Sequence, residues 1–143
     1  MYRYLLVVIL TLSGCASVQK SGSRNQEALE SAKLYYEKAL YSDAERIYLK
    51  LDQSNPNNYD INFRLGNIYV RTGQYPAAEI RYRKCIEIDS SEPKGWYNLS
   101  LLKIKEAIAL TEEGMSKSRL KDESFEEEFI LLRNGLIKAV TGI

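Results

Sequence analysis

The stretch YDINFRLGNIYVRTGQYPAAEIRYRKCIEIDSSE, residues 59–92, decides how the chain folds, because its neighbours read as copies of it. It carries Leu65-Gly66, then Tyr69, Gly73, Tyr75, Ala78 and Tyr82. A shift of about 34 residues, a period typical of helical-hairpin repeats, lands on matching residue types in both directions. Backwards, Tyr69 meets Tyr35, Tyr75 meets Tyr41, Ala78 meets Ala44 and Tyr82 meets Tyr48. Forwards, Leu65-Gly66 meets Leu99-Ser100, with Trp96 just ahead. Small and aromatic residues that recur in phase at this spacing predict a stacked helical solenoid.

The local chemistry agrees. Residues 59–72 read as a helix behind Asn58, which suits an N-cap after the Pro56-Asn57 turn. Gly73 supplies a left-handed stop, and Pro76 fits the first turn of the next helix. That second helix places Ala78, Tyr82, Cys85 and Ile86 on one face. Gly66 and Ala78 are small enough for the two helices to approach closely, while tyrosines fill the space around them. One such hairpin cannot bury its own apolar face, so it needs neighbours.

These residues resemble the tetratricopeptide repeat, and the likeness covers roughly residues 25–110. It implies an all-α solenoid of about two and a half repeats, at 25–58, 59–92 and a partial 93–113, with a closing helix at 124–141. It also implies a scaffold for binding proteins, without saying which.

The first repeat is expected to hold helices at 26–39 and 42–51. Ala28, Ala32 and Tyr35 face inward from the first helix, and Ala44, Ile47, Tyr48 and Leu51 from the second. Ser42 with Glu45 reads as a capping box. Ser31-Ala32, where Leu-Gly would be usual, marks an edge repeat. The third repeat starts on schedule at Pro93, but no glycine stops it near Ala107. Its helix is therefore expected to run to about Glu113, with a polar loop at 114–121. Ser124 with Glu127 reads as another capping box, ahead of a helix with Phe125, Phe129, Leu132, Leu136 and Val140 on one face. Ile130, Leu131 and Ile137 widen that stripe. Such a helix either replaces the missing partner of the third repeat and closes the stack, or docks a partner or a second copy.

Ahead of the repeats, residues 1–14 begin with one cation, Arg3, and an apolar run at 4–12. About 20 residues are needed to cross a bilayer as a helix, so this short run reads as a secretory signal peptide. It ends in Leu12-Ser13-Gly14-Cys15, which resembles the lipobox of bacterial lipoproteins. The resemblance implies cleavage before Cys15, a diacylglyceryl group on its thiol and a fatty-acylated amino terminus. The other reading is an ordinary signal peptide with a chance cysteine. Ala16 is not the aspartate linked to inner-membrane retention, so the resemblance points to the periplasmic face of the outer membrane. Several acyl chains anchor stably where one does not, and residues 15–24, rich in Ser, Gly and Gln, suit a flexible leash.

Composition narrows the chemistry. Removal of 1–14 takes Arg3 and no acid from the 20 cations and 19 acids, leaving charge near zero, unlike a nucleic-acid surface. Cys85 falls where the repeat wants a small buried residue, which suits an inert structural thiol. The chain has no histidine, the commonest general base and metal ligand. It shows no glycine-rich phosphate loop and no acidic spacing suited to calcium. No enzyme activity, metal, small-molecule substrate or cofactor beyond the covalent lipid on Cys15 is expected.

In tetratricopeptide proteins the first helix of each pair lines a concave groove. Carried across the matched repeats, the groove positions are Leu29, Lys33 and Tyr36, then Asp60, Phe63, Asn67 and Val70, then Lys94, Tyr97, Leu101 and Ile104. That set suits an amphipathic helix or an apolar segment, although each residue could equally be ordinary surface or repeat core. Leu29 stands where the family's carboxylate clamp needs a cation, so no such clamp is expected. A lipobox ahead of a small repeat domain resembles pilotin and pilus-assembly lipoproteins of type IV and Tad/Flp systems. That implies a partner such as a secretin or pilus subunit. The alternatives are an adaptor for peptidoglycan hydrolases and a self-associating structural lipoprotein.

Overall fold

A computed structural model describes residues 23–118 and 125–142, and among them it contains six helices and no strand. The signal peptide, Cys15 and Ser124 lie outside the described residues.

Helix α1 covers 23–37, so Ser23 and Arg24 are helical rather than part of a leash. It ends two residues before the expected boundary because Ala39 turns left-handed, with φ 57°. The Leu40 amide then reaches the Tyr35 carbonyl at 2.9 Å, and the Ala39 amide reaches Tyr36 at 3.0 Å. This double closure satisfies carbonyls that a helix end leaves open. Helix α2 (Tyr41–Ser54) follows at once, with Leu40 at the N-cap and no side-chain cap. The expected Ser42–Glu45 capping box is therefore absent: the tight return from α1 starts α2 a residue early and puts Ser42 inside the first turn.

Helix α3 (Tyr59–Arg71) opens as expected, with Asn58 Oδ1 accepting the Ile61 amide at 3.0 Å. Gly73, φ 76°, closes it by the same pair of bonds seen at Ala39. Helix α4 (Tyr75–Ile88) carries Pro76 in its first turn. Between α3 and α4 the Tyr82 ring lies on Gly66, where a Cβ would stand 2.6 Å from it. Ala44 and Ala78, and the tyrosines Tyr48 and Tyr82 that occupy matched positions, are all buried. Leu65, Ile68, Leu99 and Leu102 continue the core towards the next helix.

One polar knot ties three helices. Arg81 of α4 donates to Asp52 of α2 at 2.8 Å and to Asn62 of α3 at 2.9 Å. Asn62, fully buried, donates in turn to the Pro56 and Asn58 carbonyls, each at 2.9 Å. The half-buried guanidinium and the buried amide are tolerable because each is answered.

Helix α5 (Pro93–Ser118) overruns the expected end at Glu113 and includes Gly114. Helix α6 (Glu126–Thr141) returns along it, starting after Phe125 with no side-chain cap bond. The glycine is not a stop here. It is the place where Phe129 of α6 presses on α5, since a Cβ on Gly114 would sit 2.8 Å from the ring. In the repeat register that contact belongs at Ser100, which is exposed and bonds back to the Trp96 carbonyl. Thus α6 does not take the place of the third repeat's missing partner helix. It packs 14 residues (114 − 100) further along α5, about 21 Å at 1.5 Å per residue.

Candidate functional site: a groove with cationic walls

A groove of about 500 Å³ opens where α1, α3 and α5 run side by side. Its walls are Tyr36 of α1, Val70 and Arg71 of α3, and Leu101, Lys105 and Ile108 of α5, with Val140 of α6 on the rim. Its floor is a short polar chain. Asn67 Oδ1 accepts the Tyr82 hydroxyl at 2.8 Å and the Asn98 amide at 2.9 Å. Burial is the main reason the Tyr82 phenol is pushed up to about 12, so it stays a neutral donor. With both Asn67 lone pairs engaged, its NH₂ group and the Asn98 carbonyl have no partner among the described residues. They are a donor and an acceptor available to a peptide backbone.

The charged residues of this lining, Arg71 and Lys105, are both cations. They stand 34 residues apart and so share one register position. Lys105 Nζ lies 5.1 Å from the Tyr75 ring centre, an attraction that holds the ammonium at the groove edge. No carboxylate lines the groove among the described residues. Nothing in that set resembles a nucleophile with its base. The Cys85 thiol is buried, faces the Tyr59 carbonyl at 3.6 Å and is pushed up to about 11, chiefly by burial.

Of the residues expected in the groove, Tyr36, Asn67, Val70 and Leu101 do line it. Leu29 and Asp60 instead border a separate hollow beside the start of α3, with Leu51 and Asn58. Phe63 stacks on Tyr59 and tilts against Tyr82, each at 6.2 Å, as part of the repeat packing. Lys33 pairs with Glu30 at 2.9 Å and Lys94 with Glu92 at 3.7 Å. Tyr97 is 65% exposed and Ile104 half-buried, and neither lines the groove. Sequence reasoning missed Arg71, Tyr82, Asn98, Leu102, Lys105, Ile108 and Val140. The recurrence of a cation at Arg71 and Lys105 was a usable signal, whereas Val140 had none, since only the fold-back of α6 brings it there.

Residues 59–92 match the family described as Tetratricopeptide repeat. The chain is also 28% identical over 77 residues to a TPR repeat-containing protein of Treponema pallidum (strain Nichols). That likeness covers 54% of this chain and 10% of the relative, so the chain spans about a tenth of the length of the curated relative it matches. Together with the all-helical hairpins, these likenesses support a tetratricopeptide-repeat protein and a protein–protein interaction module.

Proposed function

We propose that the chain is a membrane-tethered interaction module whose groove captures an apolar partner segment bearing an acidic group. The carrying observation is the groove lining: apolar walls, an amide pair free to meet a peptide backbone, and charges of one sign. Apolar anchors supply affinity in such a site, and charge selects which segment enters. The tether is the lipid on Cys15, argued from Leu12-Ser13-Gly14-Cys15. With that anchor the domain works at the periplasmic face of the bacterial outer membrane. The client is then a component of an envelope assembly, a secretin or pilus subunit by the resemblance in layout.

Photo-crosslinkers placed at Val70 and Leu101 in the native cell, followed by mass spectrometry, test the client. Adducts with a secretin or pilus component from both positions support the assembly role. An adduct with a peptidoglycan hydrolase replaces it with the adaptor role, and no adduct from either position removes the groove as the binding face. For the tether, Cys15→Ser is expected to abolish incorporation of labelled palmitate and release the protein from the membrane fraction. Retention of the label would overturn lipidation at this residue.

A further inference from the structure

Helix α6 has two faces, and only one is used among the described residues. Phe129, Ile130, Arg133 and Leu136 are half-buried on the side turned to α5, and no α6 residue is fully buried. The other side exposes Leu131 at 71% and Leu132 at 53%, with Gly135 and Ala139 between and beyond them. Phe125, just ahead of the helix, is 51% exposed. Nothing lies within 4 Å of where a Gly135 side chain would start, so the backbone there is open to close approach. Phe125, Leu132 and Ala139 recur at seven-residue steps, with Glu128 and Gly135 between them, which is the spacing of a helix-pairing seam. Phe125 and Leu132 exposed on one stripe, with Leu131 exposed on its flank, are more apolar surface than a solvent-facing helix needs.

We infer that this stripe is a homodimer interface in which α6 pairs antiparallel with α6 of a second copy, Leu132 lying on the two-fold axis. The commitment to a second copy rests on charge and size. Exposed Glu127 and Lys138 lie three turns apart on one flank of the stripe, with Leu131 between them. Reversing the helix about Leu132 sets Glu127 of each copy beside Lys138 of the other, and Phe125 opposite Ala139. In a parallel pair the two flanks would lie on opposite sides of the seam, so Glu127 would not reach Lys138 of the other copy, and Phe125 would meet Phe125. Opposed helix dipoles favour the antiparallel choice as well. A two-fold interface must be self-complementary, and the antiparallel pairing is the one that brings Glu127 to Lys138. The acids at Glu127 and Glu128 also make the face a poor match for an anionic lipid surface. The groove opens between α1, α3 and α5, so such a dimer presents two grooves and stands independently of what they bind.

The test uses the full chain in detergent on a Cys15→Ser background, which leaves the buried Cys85 as the remaining native thiol. Under mild oxidation Leu132→Cys is expected to give a disulfide dimer. Phe125→Cys mixed with Ala139→Cys is expected to do the same, and Phe125→Cys alone is not. Sedimentation without added cysteines gives the second reading: Glu127→Lys and Lys138→Glu each weaken association about tenfold, and the double exchange restores it. Circular dichroism confirms that each variant keeps its helices. Self-crosslinking of Phe125→Cys equal to that of Leu132→Cys would overturn the antiparallel register. A monomer at every concentration, with Leu132→Cys uncrosslinked or protected only by added vesicles, would overturn the dimer itself.

Discussion

Ala39 and Gly73 occupy the same register position and the same left-handed turn, with φ of 57° and 76°. A Cβ in that conformation crowds the following carbonyl, at a cost of about 1 kcal/mol. Ala39→Gly is therefore expected to raise the free energy of unfolding by about 1 kcal/mol, and Gly73→Ala to lower it by a similar amount. Urea titration checks both, through a shifted midpoint at unchanged slope. Burial also silences Cys85. Its thiol is held near 11 rather than 9.0, so the thiolate, the reactive form, is depleted about hundredfold below pH 9. Native protein at pH 8 should react with a disulfide reagent at Cys85 at least that much more slowly than the urea-unfolded chain. Equal rates would mean that Cys85 is not packed as described.

Helix ends show how far local sequence reaches. Asn58, Gly73 and Pro76 act within one turn of their own backbone, and the boundaries they set agree with the structure. Ser42 and Glu45 have the chemistry of a cap and do not form one, because the left-handed Ala39 before them had already started α2. The same limit explains Gly114. A glycine in a polar run reads as a loop, yet the ring of Phe129, fifteen residues (129 − 114) away in the chain, needs that missing Cβ. Groove residues divide likewise. Those projecting by repeat register alone, such as Tyr36 and Val70, were legible, whereas Phe63 was lost to stacking with Tyr59 and Tyr82. Gly114→Leu should force α6 off α5 while leaving α3 against α4 intact. Hydrogen exchange of α6 amides is expected to speed up about tenfold or more, with amides of α3 unchanged. Unchanged α6 exchange would place the anchorage of α6 elsewhere than the Gly114–Phe129 contact.

At the scale of the whole molecule, near-neutral charge conceals a polarised arrangement. The chain carries 20 cations and 19 acids, and many pair off on the surface: Glu79 with Arg83 and Lys103, Glu113 with Lys117, Glu30 with Lys33. Exposed pairs of this kind contribute little stability. Their consequence is that the groove's cations, Arg71 and Lys105, face no acid along the groove lining, so its local field is positive although the sum is almost zero. That field, rather than the net charge, should govern selection. A peptide library displayed against the full chain should enrich segments that join two or more large apolar residues to an Asp or Glu. Arg71→Glu with Lys105→Glu should reverse the charge preference towards Lys and Arg. It should weaken the original peptides about tenfold or more with only a small fall in the unfolding midpoint, because the exchange costs the Lys105–Tyr75 attraction and the Arg71 charge at the end of α3 but leaves the Arg81–Asp52–Asn62 knot intact. The loss should shrink as salt is raised, since screening removes the attraction and the repulsion together. Enrichment of apolar peptides without acids, indifferent to the double exchange, would leave the groove apolar in function and its two cations mere solvating rim.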